Sequence, residues 1–297
     1  MSSIALEKTE LIRLRAQARH SPRPPARPAS TQVSGPYRSR HKGRGIDFDE
    51  VRAYQAGDDI RAMDWRVTAR TGEPHIKLFH EERERPVFFV VDLGPSMRFG
   101  TRGVFKSVQA GRIATLLAWM VISHGDRVGG VVFSGGRHQE ASPKARELGV
   151  LQFIHTLLRV DADMAQAQPG ALTEALAATA RLAHPGSLIY LISDFRQLDE
   201  HAQTALRRLA AHNDLTAIAV YDPLEKEPPP PGRYRVSDGH MAVSFDSSAR
   251  ELQERYRALF QDRFERLQGL SRKLGFPLWG AATDADPREL LFRAGTI

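Results

Sequence analysis

Residues 87–97 read VFFVVDLGPSM, and residues 188–195 read LIYLISDF. Each is a continuous apolar run of the length that suits a strand buried on both faces, and each ends in an aspartate. Around them the chain alternates. Helical spacing runs over 104–123, 143–159, 171–183, 198–211 and 249–270, and further apolar runs lie at 127–133, 216–221 and 276–279. Strand and helix in this order predict a doubly wound, mostly parallel α/β sheet with helices on both faces. In such a sheet ligands bind beyond the carboxyl ends of the strands, where strand order reverses. That is where Asp92 and Asp194 are expected, with Ser96 four residues past the first and Ser193 beside the second. Converging carboxylates and hydroxyls would make an all-oxygen site suited to a hard cation such as Mg²⁺. Either aspartate alone would serve equally well as a helix or turn cap.

Outward from this body the chain changes character. Residues 1–36 are expected to form a basic, Pro-rich arm and linker. Within them, Ile4 to Arg19 offers a thin helical stripe of Leu6, Leu11, Leu14 and Ala18. The first 44 residues hold ten Lys and Arg against Glu7 and Glu10, whereas the remainder is close to neutral, so the net charge of +7 belongs to the arm. Such an arm is either solvated or a contact for an acidic partner or nucleic acid. Residues 37–86 read as a β-rich subdomain, and residues 87–297 as the α/β domain, interrupted at 225–246 by a polyproline stretch and a hairpin. Within the subdomain, GDDIRAMDWRVTAR (57–70) carries Asp58, Asp59, Arg61, Asp64, Trp65 and Arg70. Asp58 or Asp59 is expected to cap a short helix with Ile60 and Met63 buried. Arg61 would pack on Trp65, and Arg52 and Arg70 would pair with the acids. The network would hold the subdomain in place or form a docking surface. A last helix is expected at 287–293.

Several chemistries lose their footing. There is no cysteine, so disulfides and thiol catalysis are excluded. No Walker A loop, G-x-G-x-x-G, H-E-x-x-H or G-x-S-x-G occurs, and the histidines form no i, i+4 pair. No apolar run reaches the length of a membrane span, and MSSIALEKTELIRLRAQ lacks the apolar block of a signal peptide, so a cytoplasmic protein is expected.

The stretch GRGIDFDEVRAYQAGDDIRAMDWRVTARTGEPHIKLFHEE, followed by VFFVVDLGPSM and LIYLISDF, closely resembles the DUF58 family over roughly residues 35–297. The resemblance implies a von Willebrand factor A-like domain, association with a MoxR-type AAA+ ATPase, and a metal-ion-dependent adhesion site. The first loop of that site, D-x-S-x-S, falls on Asp92, Gly94 and Ser96. The second falls on Gly170, with Thr173 close by, and the third on Asp194. Glycine at 94 and 170 makes it a degenerate version, in which water would replace each missing hydroxyl. The function implied is a non-enzymatic adaptor in the assembly or maturation of protein complexes. The alternatives are a Mg²⁺- or Mn²⁺-dependent phosphoesterase using Asp92 and Asp194, with Asp58 or Asp59 as a further carboxylate, and nucleic-acid binding through the arm.

Overall fold

The computed structural model describes residues 2–18, 47–55, 58–80, 84–163, 166–237 and 242–289. Most of the basic arm and the expected helix at 287–293 therefore lie outside the described residues. The chain forms two compact units, one of residues 1–29 with 85–297, the other of residues 30–84.

The larger unit is built on a six-stranded sheet. β3 (Pro86–Asp92), β4 (Arg127–Ser134), β6 (Leu188–Ser193), β7 (Asp214–Tyr221) and β10 (Leu278–Ala282) run parallel, and β5 (Arg137–Lys144) closes one edge antiparallel to β4. The order is β10-β7-β6-β3-β4-β5. Between these strands the chain passes through α3 (Lys106–Ser123), α4 (Arg146–Ala162), α5 (Ala171–Leu182), α6 (Glu200–His212), a one-turn α7 (Pro223–Lys226) and the 25-residue α8 (Arg250–Leu274). A hairpin of β8 (Arg233–Ser237) and β9 (Ala242–Asp246) precedes α8.

β3 explains the architecture. Val87, Phe89 and Val91 enter one core with α3 and α4, while Phe88 and Val90 enter the other with α5, α6 and α8. Both faces are dry, as the unbroken apolar run predicts. The chain winds from β3 to β4 on one side and returns to β6 on the other. The strand order therefore reverses at β3 and β6, and their carboxyl ends open the crevice where such sheets bind ligands.

The first residues belong to this unit. α1 (Lys8–Ala18) lays Leu11, Leu14 and Ala18 into the core beside α3, and Leu6 joins them. Trp119 Nε1 donates to Leu11 O at 3.1 Å, Glu10 pairs with Arg112 at 2.6 Å, and the Leu6 N–H donates to Asp161 Oδ2 at 2.8 Å. A Cβ on Gly111 would meet Leu6 at 2.6 Å, so that glycine permits the close approach. The thin stripe is a packed interface, and Leu6 with α1 (Lys8–Ala18) belongs to the folded body rather than to an arm.

The smaller unit pairs β1 (Asp47–Ala53) antiparallel with β2 (His75–His80) and carries α2 (Trp65–Thr71) between them. Asp59 caps a 3₁₀ turn over Ile60–Ala62, accepting from the Arg61 N–H, and Asp64 caps α2, accepting from the N–H groups of Arg66 and Val67. Arg52 pairs with Asp58 at 2.7 Å. The capping expectation holds for Asp59, but Ile60 is 62% exposed rather than buried. Trp65 is 68% exposed and does not receive Arg61, because a 3₁₀ turn and a cap intervene where one continuous helix was expected. Arg61 and Arg70 are exposed and form no ion pair among the described residues.

Candidate functional site

At the reversal point Asp92 bonds the serine that precedes Asp194. Asp92 Oδ2 accepts from the Ser193 hydroxyl at 2.7 Å, and Asp92 Oδ1 accepts from the Gly94 N–H at 2.9 Å. Ser193 Oγ in turn accepts from the Phe195 N–H at 3.0 Å. Phe195 holds φ near 55°, a left-handed conformation that costs a bulky residue on the order of 1 kcal/mol. Its ring is buried, and the turn aims Arg196 back over the strand ends.

Asp194 faces a lysine. Lys106, the first residue of α3, is 0% exposed, and its Nζ donates to Asp194 Oδ2 and to Glu225 Oε1, each at 2.8 Å. Arg196 Nη2 adds a bond to the same Glu225 oxygen at 2.7 Å, and its backbone N–H donates to Asp194 Oδ1 at 3.1 Å. Glu225 is held by a capping box on α7, where its Oε2 accepts from the Asp222 N–H. One further carboxylate ties the strand ends together. Asp222 accepts from the N–H and hydroxyl of Thr101, the hydroxyl of Thr283 and the N–H of Leu224, at 2.6–2.9 Å. It thereby joins the loop after β3 to the ends of β7 and β10.

The electrostatics separate the two aspartates. Burial, reinforced by repulsion from Asp194, pushes the Asp92 carboxyl from 3.8 up to about 7, against the bonds from Ser193 and Gly94. Burial works to raise Asp194 as well. There the Lys106 ammonium, its hydrogen bond and the Arg196 N–H outweigh it and hold the carboxyl below the usual carboxylate range. Hydrogen bonds from Thr101 and Thr283 likewise overcome burial and lower Asp222.

These residues do not fit a hard divalent cation, which takes about six oxygen ligands. A Cβ at Gly94 would lie 3.0 Å from Asp92 Oδ1, so position 94 lacks the hydroxyl and is crowded by the aspartate itself. Gly170 has φ +84° at the N-terminus of α5. Thr173 lies one turn into that helix, its buried hydroxyl without a partner. Ser96 is half-buried in a 3₁₀ turn over Pro95–Met97. Asp194 is committed to an ammonium, and no group of three His, Cys, Asp or Glu able to hold a metal ion occurs among the described residues. The positive charge facing Asp194 is supplied by Lys106.

Sequence reasoning placed Asp92, Ser193 and Asp194 together and missed Lys106, Arg196, Asp222 and Glu225. Lys106 was one charge at the start of an apolar helix, a position that usually faces solvent. Glu225 was absorbed into EKEPPPPG as a spacer, although Asp222-Pro223 before it is a helix-start signal that marks α7. The acids and arginines of 57–70 lie in the smaller unit and make their described contacts there.

A sequence profile described as "Protein of unknown function DUF58" matches residues 50–266. Uncharacterized protein Rv1480 of Mycobacterium tuberculosis is 32% identical over 251 residues, 82% of this chain and 77% of the relative, and uncharacterized protein Mb1516 of Mycobacterium bovis matches to the same extent. Among solved structures, the conserved hypothetical protein BatB from Bacteroides thetaiotaomicron is 16% identical with a TM-score of 0.44, covering 69% of this chain and 93% of that one. A von Willebrand factor type A structure from Catenulispora acidiphila is 13% identical with a TM-score of 0.35, covering 48% and 34%. A profile that takes in both β3 and β6, the two strands that carry Asp92 and Asp194, makes this chain a member of the DUF58 family.

Proposed function

We propose that this chain is a non-enzymatic docking module of von Willebrand A-like type, an adaptor that presents the carboxyl edge of its sheet to a partner protein and works with a MoxR-type AAA+ ATPase. The observation that supports this reading most is the closed ion cluster at the switch point. Lys106, Asp194, Glu225 and Arg196 satisfy one another, and the Ser193 hydroxyl that bonds Asp92 is buried together with that carboxylate, out of a substrate's reach. A phosphoesterase would need carboxylates free to hold metal ions, and Lys106 stands in that place. An edge that carries its own cation can dock a partner without drawing on Mg²⁺.

The ATPase partner follows from the family resemblance. The test is to measure association of the full chain with a folded MoxR-type ATPase hexamer by light scattering after gel filtration. Parent chain and Arg196→Glu are compared. Expected are a complex with the parent and at least about tenfold weaker association for the variant. No complex with an intact hexamer sinks the adaptor reading, and equal association of the variant moves docking away from this edge.

A further inference from the structure

Beside the ion cluster, α6 and α8 leave a groove of about 830 Å³ between them. We propose that this groove docks an acidic amphipathic helix of a partner protein. The proposal rests on the reading of the chain as a docking module and names the chemistry of what is docked.

Three observations carry it. The first is spacing. The groove is lined along α8 by Tyr256, Leu259, Arg263, Arg266, Leu270 and Lys273, at intervals of three and four residues. That is the seam of a helix that packs against another helix. It borders the stripe of Phe260, Phe264, Leu267 and Leu270, which α8 already uses for its own core, so that Leu270 belongs to both. Over the 17 residue steps from Tyr256 to Lys273 the seam is about 26 Å long, room for nearly five helical turns. Leu259, 68% exposed, stands on it without a core to enter.

The second is charge. Arg196, Arg207, Arg263, Arg266 and Lys273 line the groove against a single carboxylate, Glu225. Glu225 is already taken by Lys106 and Arg196. Arg207 reaches only the amide of Gln203, and Arg266 only a backbone carbonyl of its own helix. Among the described residues neither they nor Lys273 has a carboxylate partner. Arg263 lies over the Phe260 ring at 5.3 Å, its Nη2 3.9 Å from the second oxygen of Glu225 and its Nε buried and unbonded.

The third is Gly269. A glycine inside a helix is destabilising. Here a Cβ would meet nothing within 4 Å, so the fold does not require it. The bare backbone opens onto the groove, where an incoming helix could approach closely. A nucleic acid fits less well. Strand binders stack bases on exposed aromatic rings, whereas Phe195 and Phe260 are buried, Tyr256 is half-buried with its hydroxyl held by Leu224 O, and the exposed apolar residue is a leucine.

The test uses fluorescein-labelled helical peptides of about 18 residues, with Leu at the a and d positions of each heptad and Glu flanking them. Matched peptides carry Lys in place of Glu, and a single-stranded DNA oligonucleotide serves as a different polyanion. Anisotropy is read against the full chain. Expected is binding of the Glu peptide at least about tenfold tighter than either control, weakening as salt rises. The triple variant Arg207→Glu, Arg266→Glu, Lys273→Glu is expected to lose at least about tenfold, and Arg159→Glu on α4 is expected to lose nothing. Gly269→Gln fills the groove without crowding the fold and is expected to lose binding while melting no lower than the parent. Absent Glu-peptide binding, equal binding of the Lys peptide, an undiminished Gly269→Gln variant, or tighter DNA binding that the triple variant abolishes would each overturn the proposal. No ATPase is present, so failure here with ATPase association intact removes the groove and leaves the adaptor reading standing.

Discussion

Replacing Lys106 by Met keeps most of the stem and removes the ammonium that bridges Asp194 and Glu225. Both carboxylates are buried, and both take the ammonium at 2.8 Å. Arg196, whose side chain is about half exposed, would then face both, and Arg263 stands only at 3.9 Å from Glu225. Removing one partner of a buried ion pair leaves an uncompensated charge and costs about 3–5 kcal/mol. In a unit of this size 1 kcal/mol moves the melting point by about 2–3 °C, so the variant is expected to melt about 6–15 °C below the parent. Scanning calorimetry between pH 5 and pH 8 checks this. The pH series carries a second expectation. Once the ammonium that holds the Asp194 carboxyl low is gone, that buried group can shed its charge by taking up a proton, so the deficit should shrink toward pH 5. A deficit under about 2 °C, or one that widens in acid, would refute the view that this lysine neutralises the site.

Four other outcomes follow from the same geometry. Asp92 is raised from 3.8 to about 7, so the folded chain holds more protons than the unfolded one between those values, and this group's contribution to stability falls as pH rises through that window. Asp92→Asn should therefore gain on the parent by roughly 2–3 kcal/mol between pH 5 and pH 8 in urea titrations, and a constant difference would contradict the raised carboxyl. Millimolar Mg²⁺ or Mn²⁺ is expected to leave the parent's melting point within about 1 °C of its value in chelator, since a ligand that does not bind the native state cannot stabilise it. Lys106→Met, with two carboxylates released, is expected to rise by about 3 °C with Mn²⁺, as a site filled to about ten times its Kd would give. Leu11→Ala should cost about 2–5 kcal/mol in urea unfolding of the whole α/β unit, and a change below about 0.5 kcal/mol would mean that α1 is peripheral.

The fold was legible because it is written in long apolar runs. VFFVVD and LIYLISD have the composition of doubly buried strands, and nothing in the structure competes with that. The alternation of elements implied a doubly wound sheet, so the place of Asp92 and Asp194 at its carboxyl edge was readable too, while the reversal of strand order between them came from the fold. What surrounds them was not. Lys106 lies 88 residues from Asp194, and Glu225 a further stretch beyond; their meeting is a product of tertiary packing that no local pattern encodes. The motif at 57–70 failed differently. Asp64, read as one member of an ion network, is an N-cap, so the expected single helix divides into a 3₁₀ turn and α2, and the i, i+4 relation between Arg61 and Trp65 is lost.

The seating of α1 bears on where this molecule can be cut. The family profile begins at residue 50, and the sheet begins at Pro86. A recombinant fragment started at either point would uncover the face of α3 at Gly111 and Trp119, on which Leu6 and α1 now sit. Such a fragment presents an adhesive stripe and would self-associate for reasons unconnected with biology. Because α1 and β3 lie in one unit, the polypeptide between them is an excursion that leaves and rejoins the same body. Excising that excursion and rejoining residue 18 to residue 85 with a flexible linker would be the cleaner way to isolate the sheet.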